Sequence, residues 1–95
     1  MSPKGDKSAQ EELGDWRARI DVVDQLLIDL VNRRLGYALE IGEIKRRHGL
    51  PVRDPAREEA LLKTLKDYNN GPLGEAGLED IFRRIIQEAC DLEAH

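Results

Sequence analysis

The sequence predicts an all-α fold: a three-helix chain with one very long N-terminal helix, completed by a second copy of itself as an intertwined homodimer. Three observations lead there. An apolar seam steps by three and four residues from Leu13 to Ile44. The first helix-stopping residues after it are Gly49 and Pro51. No stretch alternates with period two for long enough to form a strand.

The chain has 95 residues, which makes one domain whose core is marginal unless subunits share it. Met1 to Ala9 is rich in Ser, Lys, Gly and Pro and has no apolar period, so residues 1–9 read as a flexible tail ahead of a helical domain over residues 10–95. Ser8 and Glu11 have the spacing of a capping box, in which a side chain and backbone amides satisfy each other at a helix start.

The seam then runs through Leu13, Trp16, Ile20, Val23, Leu27, Leu30, position 34, Tyr37, Ile41 and Ile44. A single helix from about residue 9 to about residue 47 would be roughly 55 Å long at 1.5 Å per residue. A compact globule of this size has a radius of gyration of only about 12 Å. The seam therefore calls for a second chain, and a two-fold dimer is the commonest closed solution.

Beyond the turn at Gly49, Leu50 and Pro51, Asp54-Pro55 places an N-cap acceptor before a proline pre-set for the first helical position. The second helix carries Leu61, Leu62 and Leu65 on one face, with Tyr68 as a candidate fourth, and stops at Asn69-Asn70-Gly71-Pro72. The third presents Leu78, Ile81, Phe82, Ile85, Ile86 and Ala89 as one broad stripe and runs to about Glu93.

Composition narrows the function. The chain is 40% hydrophobic, 4% aromatic and 36% charged, with no apolar run that would span a membrane or serve as a signal peptide. A cytoplasmic protein with no membrane association is the expectation. A net charge of −4 and a pI near 5.2 argue against nucleic-acid binding. With Cys90 alone and only His48 and His95, neither a disulfide nor a spaced set of metal ligands can be built, so no metal and no cofactor are expected.

Residues that break the apolar pattern mark the candidate site. Arg34 stands at a seam position, where an unpaired buried guanidinium is costly and an anion is wanted. Snorkelling to solvent, or a carboxylate across the dimer, would also satisfy it. Lys45 follows eleven residues later, within about 20° around the helix and about 16 Å along it, so two long side chains can close on one small molecule. Arg57 sits in the first turn of the second helix, where the dipole disfavours a cation. It serves either an ion pair with Asp54, Glu58 or Glu59 or an anion site. Arg17 is about 25 Å from Arg34 along one helix, too far to share a ligand within a chain. Cys90 reads as a core-filling thiol, and Ser2, Ser8 and Thr64 offer no nucleophile in a predicted pocket. Together these residues indicate a pocket for a small dianionic metabolite.

The run Arg17-x-x-Ile20-Asp21-x-x-Asp24-x-x-Leu27-x-x-Leu30-x-x-x-Arg34, followed by Ile41-Gly42-x-x-Lys45 and Pro51-Val52-Arg53-Asp54-Pro55-x-Arg57-Glu58, resembles the all-helical AroQ-type chorismate mutases. The resemblance implies three helices per chain, an intertwined homodimer and two sites that each borrow an arginine. It implies that Arg17 of one chain and Arg34 of the other bind the substrate's carboxylates, while Lys45 reaches a carboxylate and the ether oxygen. Asp54 and Glu58 would bind the ring hydroxyl, with Arg57 bordering the site.

The last helix matches less closely: Ala89 stands where some members carry serine, and Glu93 where some carry glutamine. The implied reaction is the pericyclic conversion of chorismate to prephenate in phenylalanine and tyrosine biosynthesis, with Lys45, Glu93 and Arg34 carrying catalysis. On the same scaffold, 4-amino-4-deoxychorismate mutase and isochorismate pyruvate lyase are alternatives. A non-catalytic helical interaction module is an alternative of a different class. The acidic segment Asp91 to His95 is a candidate surface for docking onto a shikimate-pathway enzyme.

Overall fold

The computed structural model describes residues 7–95 as three α-helices: α1 (Ala9–His48), α2 (Pro55–Tyr68) and α3 (Glu75–Glu93). Most of the expected tail, residues 1–6, lies outside the described residues. The chain divides into two units, Met1–Asn32 and Arg33–His95.

The described part of the first unit is helix throughout from Ala9. Its start follows the predicted capping box: the Glu11 amide donates to Ser8 Oγ at 3.1 Å, and the Ser8 amide donates to Glu11 Oε1 at 3.5 Å. The large apolar residues from Leu13 to Leu30 are exposed, including Trp16 at 62% and Leu27 at 53%. Trp16 is covered only by the Arg19 guanidinium, 4.4 Å above its ring.

The second unit holds the remainder of α1 with α2 and α3. Gly49 ends α1 with φ 63°, a left-handed conformation that glycine adopts without a Cβ penalty. Its amide donates to the Arg46 carbonyl at 3.4 Å and that of Leu50 to the Lys45 carbonyl at 2.9 Å, the paired bonds of a Schellman ending. Asp54 caps α2 by accepting the Arg57 amide at 3.1 Å, with Pro55 as the first helical residue. Asn69 closes the following turn, accepting from the Gly71 amide and donating to the Leu73 carbonyl.

The core of this unit is small. Leu62 of α2 is 1% exposed, and Leu78, Ile86 and Ala89 of α3 and Ala38 of α1 are buried as well. Polar pairs add a rim between α2 and α3: Lys66 to Glu79 at 2.8 Å and Arg83 to Glu59 at 3.0 Å. The Lys66 ammonium holds the Glu79 carboxyl below its ordinary range. Such partly exposed pairs add little individually. Tyr68 departs from the predicted apolar face and is 84% exposed, as the last residue of α2. Ile81 is exposed as well, so the buried stripe of α3 is narrower than its apolar spacing suggested.

α1 approaches α3 tightly at Gly42. A Cβ there would lie 2.9 Å from Glu93 Cα and 3.1 Å from the Glu93 carbonyl oxygen. Both are backbone atoms that cannot rotate away. Gly42→Ala would gain roughly 1 kcal/mol of helix propensity, but forced separation of packed backbones costs about 1–3 kcal/mol. A lowered urea midpoint is the expected outcome; an unchanged or raised midpoint would show that the two helices part without penalty.

Candidate active site

A cavity of about 380 Å³ opens in the second unit, walled by the end of α1, the start of α2 and the last turns of α3. Six charged side chains line it: Arg34, Lys45, Asp54, Arg57, Glu58 and Glu93. Apolar groups fill the intervening wall, among them Tyr37, Ile41, Val52 and Leu61. An apolar wall with a few convergent polar groups is the usual make-up of a small-molecule site.

The helical spacing that joined Arg34 to Lys45 is realised, since both line this one cavity. Lys45 is fixed from two sides. Its Nζ donates to Glu93 Oε1 and to the Val52 carbonyl, each at 2.6 Å, with side-chain exposures of 21% for Lys45 and 9% for Glu93. Glu93 thus turns inward, which removes its carboxylate from the acidic C-terminal surface. Arg46 Nη1 donates to the Glu93 carbonyl at 3.4 Å, tying the same residue to α1 through its backbone.

Arg34 and Arg57 have no carboxylate partner among the described residues. The ion pairs open to Arg57 in the sequence, with Asp54, Glu58 or Glu59, are not made by its side chain; only its backbone amide engages Asp54. Asp54 uses Oδ1 for that cap and keeps Oδ2 without a partner among the described residues. Ala89 is buried in the wall, with no group to offer a ligand.

Two features were not legible as site components. Cys90 lies in the wall as well as the core, where burial, the largest influence, raises its thiol pKa. A raised pKa and 8% exposure describe a protonated, unreactive thiol. Arg53, quoted in the sequence motif without a role, grips Glu58. Its Nη1 donates to Oε1 at 3.0 Å and to Oε2 at 3.2 Å, while Nη2 bonds Gln87 Oε1 on α3. The five-residue separation of Arg53 and Glu58 is no helical spacing, because Arg53 precedes the N-cap.

Arg17 belongs to the first unit, on an exposed stretch of α1, and is not among the residues lining the cavity. Among the described residues there is no cluster of three or more His, Cys, Asp or Glu able to hold a metal, and no helix is long and apolar enough to cross a membrane.

Comparison with known proteins gives a consistent set of relatives. The chorismate mutase type II family matches residues 16–94. The T-protein of Enterobacter agglomerans is 39% identical over 84 residues, covering 86% of this chain and 22% of that protein. The 4-amino-4-deoxychorismate mutase of Streptomyces pristinaespiralis is 36% identical over 91 residues, covering 94% of this chain and 70% of that protein. Chorismate mutase (form II) from Thermus thermophilus superposes with a TM-score of 0.86 at 31% identity, covering 88% of this chain and 96% of that one. The chain spans about a fifth of the length of the T-protein it matches.

Proposed function

Given that this chain belongs to the chorismate mutase type II family, we propose that its cavity binds chorismate and rearranges it to prephenate, a step toward phenylalanine and tyrosine. The observation that carries this reading is the convergence of Arg34, Lys45 and Arg57 on one partly apolar cavity, with both guanidiniums free of carboxylate partners among the described residues. Such guanidiniums suit the two carboxylates of a small dianion.

The reaction is concerted: one C–O bond breaks as one C–C bond forms, so no nucleophile or metal is needed. What a protein supplies is the reactive conformer and positive charge where the breaking oxygen becomes negative. Lys45 suits the second task. An ammonium has three donors, and Glu93 and Val52 occupy two of them. The remaining N–H is held in place without reorganisation. Asp54 and Glu58, near the start of α2, take the ring hydroxyl. Glu93 accepts from Lys45; to donate to the ether oxygen it must carry a proton.

We further infer a homodimer in which Arg17 enters the partner's cavity. Support comes from the exposed apolar seam, Leu13 to Leu30 in the first unit and Tyr37, Ile41 and Ile44 in the second. Burial against a second copy would remove this surface from water at roughly 25 cal/mol per Å². A second substrate reading, 4-amino-4-deoxychorismate, is favoured by the Streptomyces relative of that name and by the two carboxylates at the ring-substituent end, which suit an ammonium.

Incubation of the protein with chorismate, followed by its ultraviolet absorbance and product identification, tests the main reading; prephenate is the expected product. Lys45→Ala is expected to lower kcat/KM by roughly 10³-fold, about 4 kcal/mol, with helical circular dichroism retained; an active variant would remove Lys45 from the mechanism. If Glu93 donates a hydrogen bond to the ether oxygen, wild-type activity declines as pH rises and Glu93→Gln flattens the profile, so parallel profiles would exclude that role. Arg17→Ala and Arg34→Ala should each be nearly inactive, yet co-refolded together they should recover about a quarter of wild-type activity, since half the dimers then hold one intact site. No recovery on mixing would place both arginines in one chain's site.

A further inference from the structure

Arg53 neither caps a helix nor lines the cavity, yet it holds a residue that does. Its guanidinium donates to both oxygens of Glu58, whose side chain is only 17% exposed, and its other nitrogen bonds Gln87 of α3. Gln87 is itself fixed, donating to Asp91 at 2.8 Å. The N-terminal end of α2 is thereby pinned to α3 through one planar fork.

We propose that Arg53 is a positioning and specificity-determining residue, which fixes Glu58 as a charge-compensated acceptor and so favours a neutral hydroxyl over an ammonium on the ring of the substrate. The proposal rests on the reading of the cavity as a chorismate site.

The charge count at that end gives the reason. Asp54 and Glu58 bring two negative charges and Arg53 one positive charge, since the Arg57 guanidinium is left to the substrate's carboxylates. With Arg53 in place the group carries a net charge of −1, and its carboxylate oxygens still have lone pairs to accept from a hydroxyl. Without Arg53 the same group carries −2 and an unpinned Glu58, which attracts a cation more strongly and binds a hydroxyl less well. Specificity of this kind is a difference of two affinities, and the compensating cation acts by penalising the ammonium ligand. Lysine cannot substitute fully, because a point charge cannot engage both carboxylate oxygens and Gln87 in one plane.

The test compares chorismate with 4-amino-4-deoxychorismate on wild type, Arg53→Met and Arg53→Lys. In Arg53→Met, KM for chorismate should rise about tenfold while kcat changes by less than about threefold, because the loss lies in holding the ring substituent rather than in the breaking bond. The ratio of kcat/KM for chorismate to that for the amino compound should fall at least about tenfold, with Arg53→Lys between the two. A general loss of stability would lower both substrates together, so the ratio isolates the specificity role. An unchanged ratio, or a loss confined to kcat, overturns the proposal.

Should wild type convert neither compound, the functional reading fails on its own. Competitive binding of the two compounds by calorimetry then decides Arg53 separately: the affinity ratio must still shift toward the amino compound in Arg53→Met. Should Arg53→Met not fold, Arg53→Lys carries the same comparison, and a wild-type ratio in that variant overturns the role of the fork.

Discussion

The hydrogen bonds of Lys45 join three parts of the chain at one point. Lys45 lies in the last turn of α1, Val52 sits in the connection to α2, and Glu93 is the last residue of α3, yet one ammonium bonds both others at 2.6 Å. The pair is largely buried, so its net contribution to stability over an apolar alternative is small, while loss of either partner leaves a costly uncompensated charge. Geometry rather than stability is what it contributes. One side chain is shared among the three cavity walls, beside the main-chain contact of Gly42 with Glu93.

Around that fixed point the charges fall into two kinds. Those already paired, Lys45 with Glu93 and Arg53 with Glu58, are set in direction by protein partners. Those free of partners among the described residues, Arg34 and Arg57, leave their hydrogen-bonding forks to a ligand. A dianion entering such a site meets donors that need not abandon an internal carboxylate, which keeps the reorganisation required on binding low. The recognition of charge and the placement of reacting atoms are thus divided between different residues.

The parts of this arrangement that depend on one helix were legible in the sequence. The caps at Ser8 and Asp54, the stop at Gly49 and the angular match of Arg34 with Lys45 follow from 3.6 residues per turn and from backbone groups that need partners. The seam of α1 was legible as apolar, and its exposure in the chain agrees with a face left for another copy. What depends on the approach of two elements was not. Arg53 grips Glu58 across an N-cap, outside any helical register, and Gln87 joins it from a segment 34 residues away. Tyr68 shares the apolar spacing of α2 but is left exposed at the helix end. Gly42 looks like a weak point in a long helix until α3 is seen to rest against it.

Gly42 touches Glu93 chiefly through main-chain atoms, the Cα and the carbonyl oxygen. The helix crossing is therefore set independently of which head group residue 93 carries. A change of head group at residue 93 leaves that main-chain contact in place and alters only the charge that faces Lys45 in the cavity. The glycine is thus the constraint on the crossing, and the side chain of residue 93 sets the protonation behaviour beside Lys45.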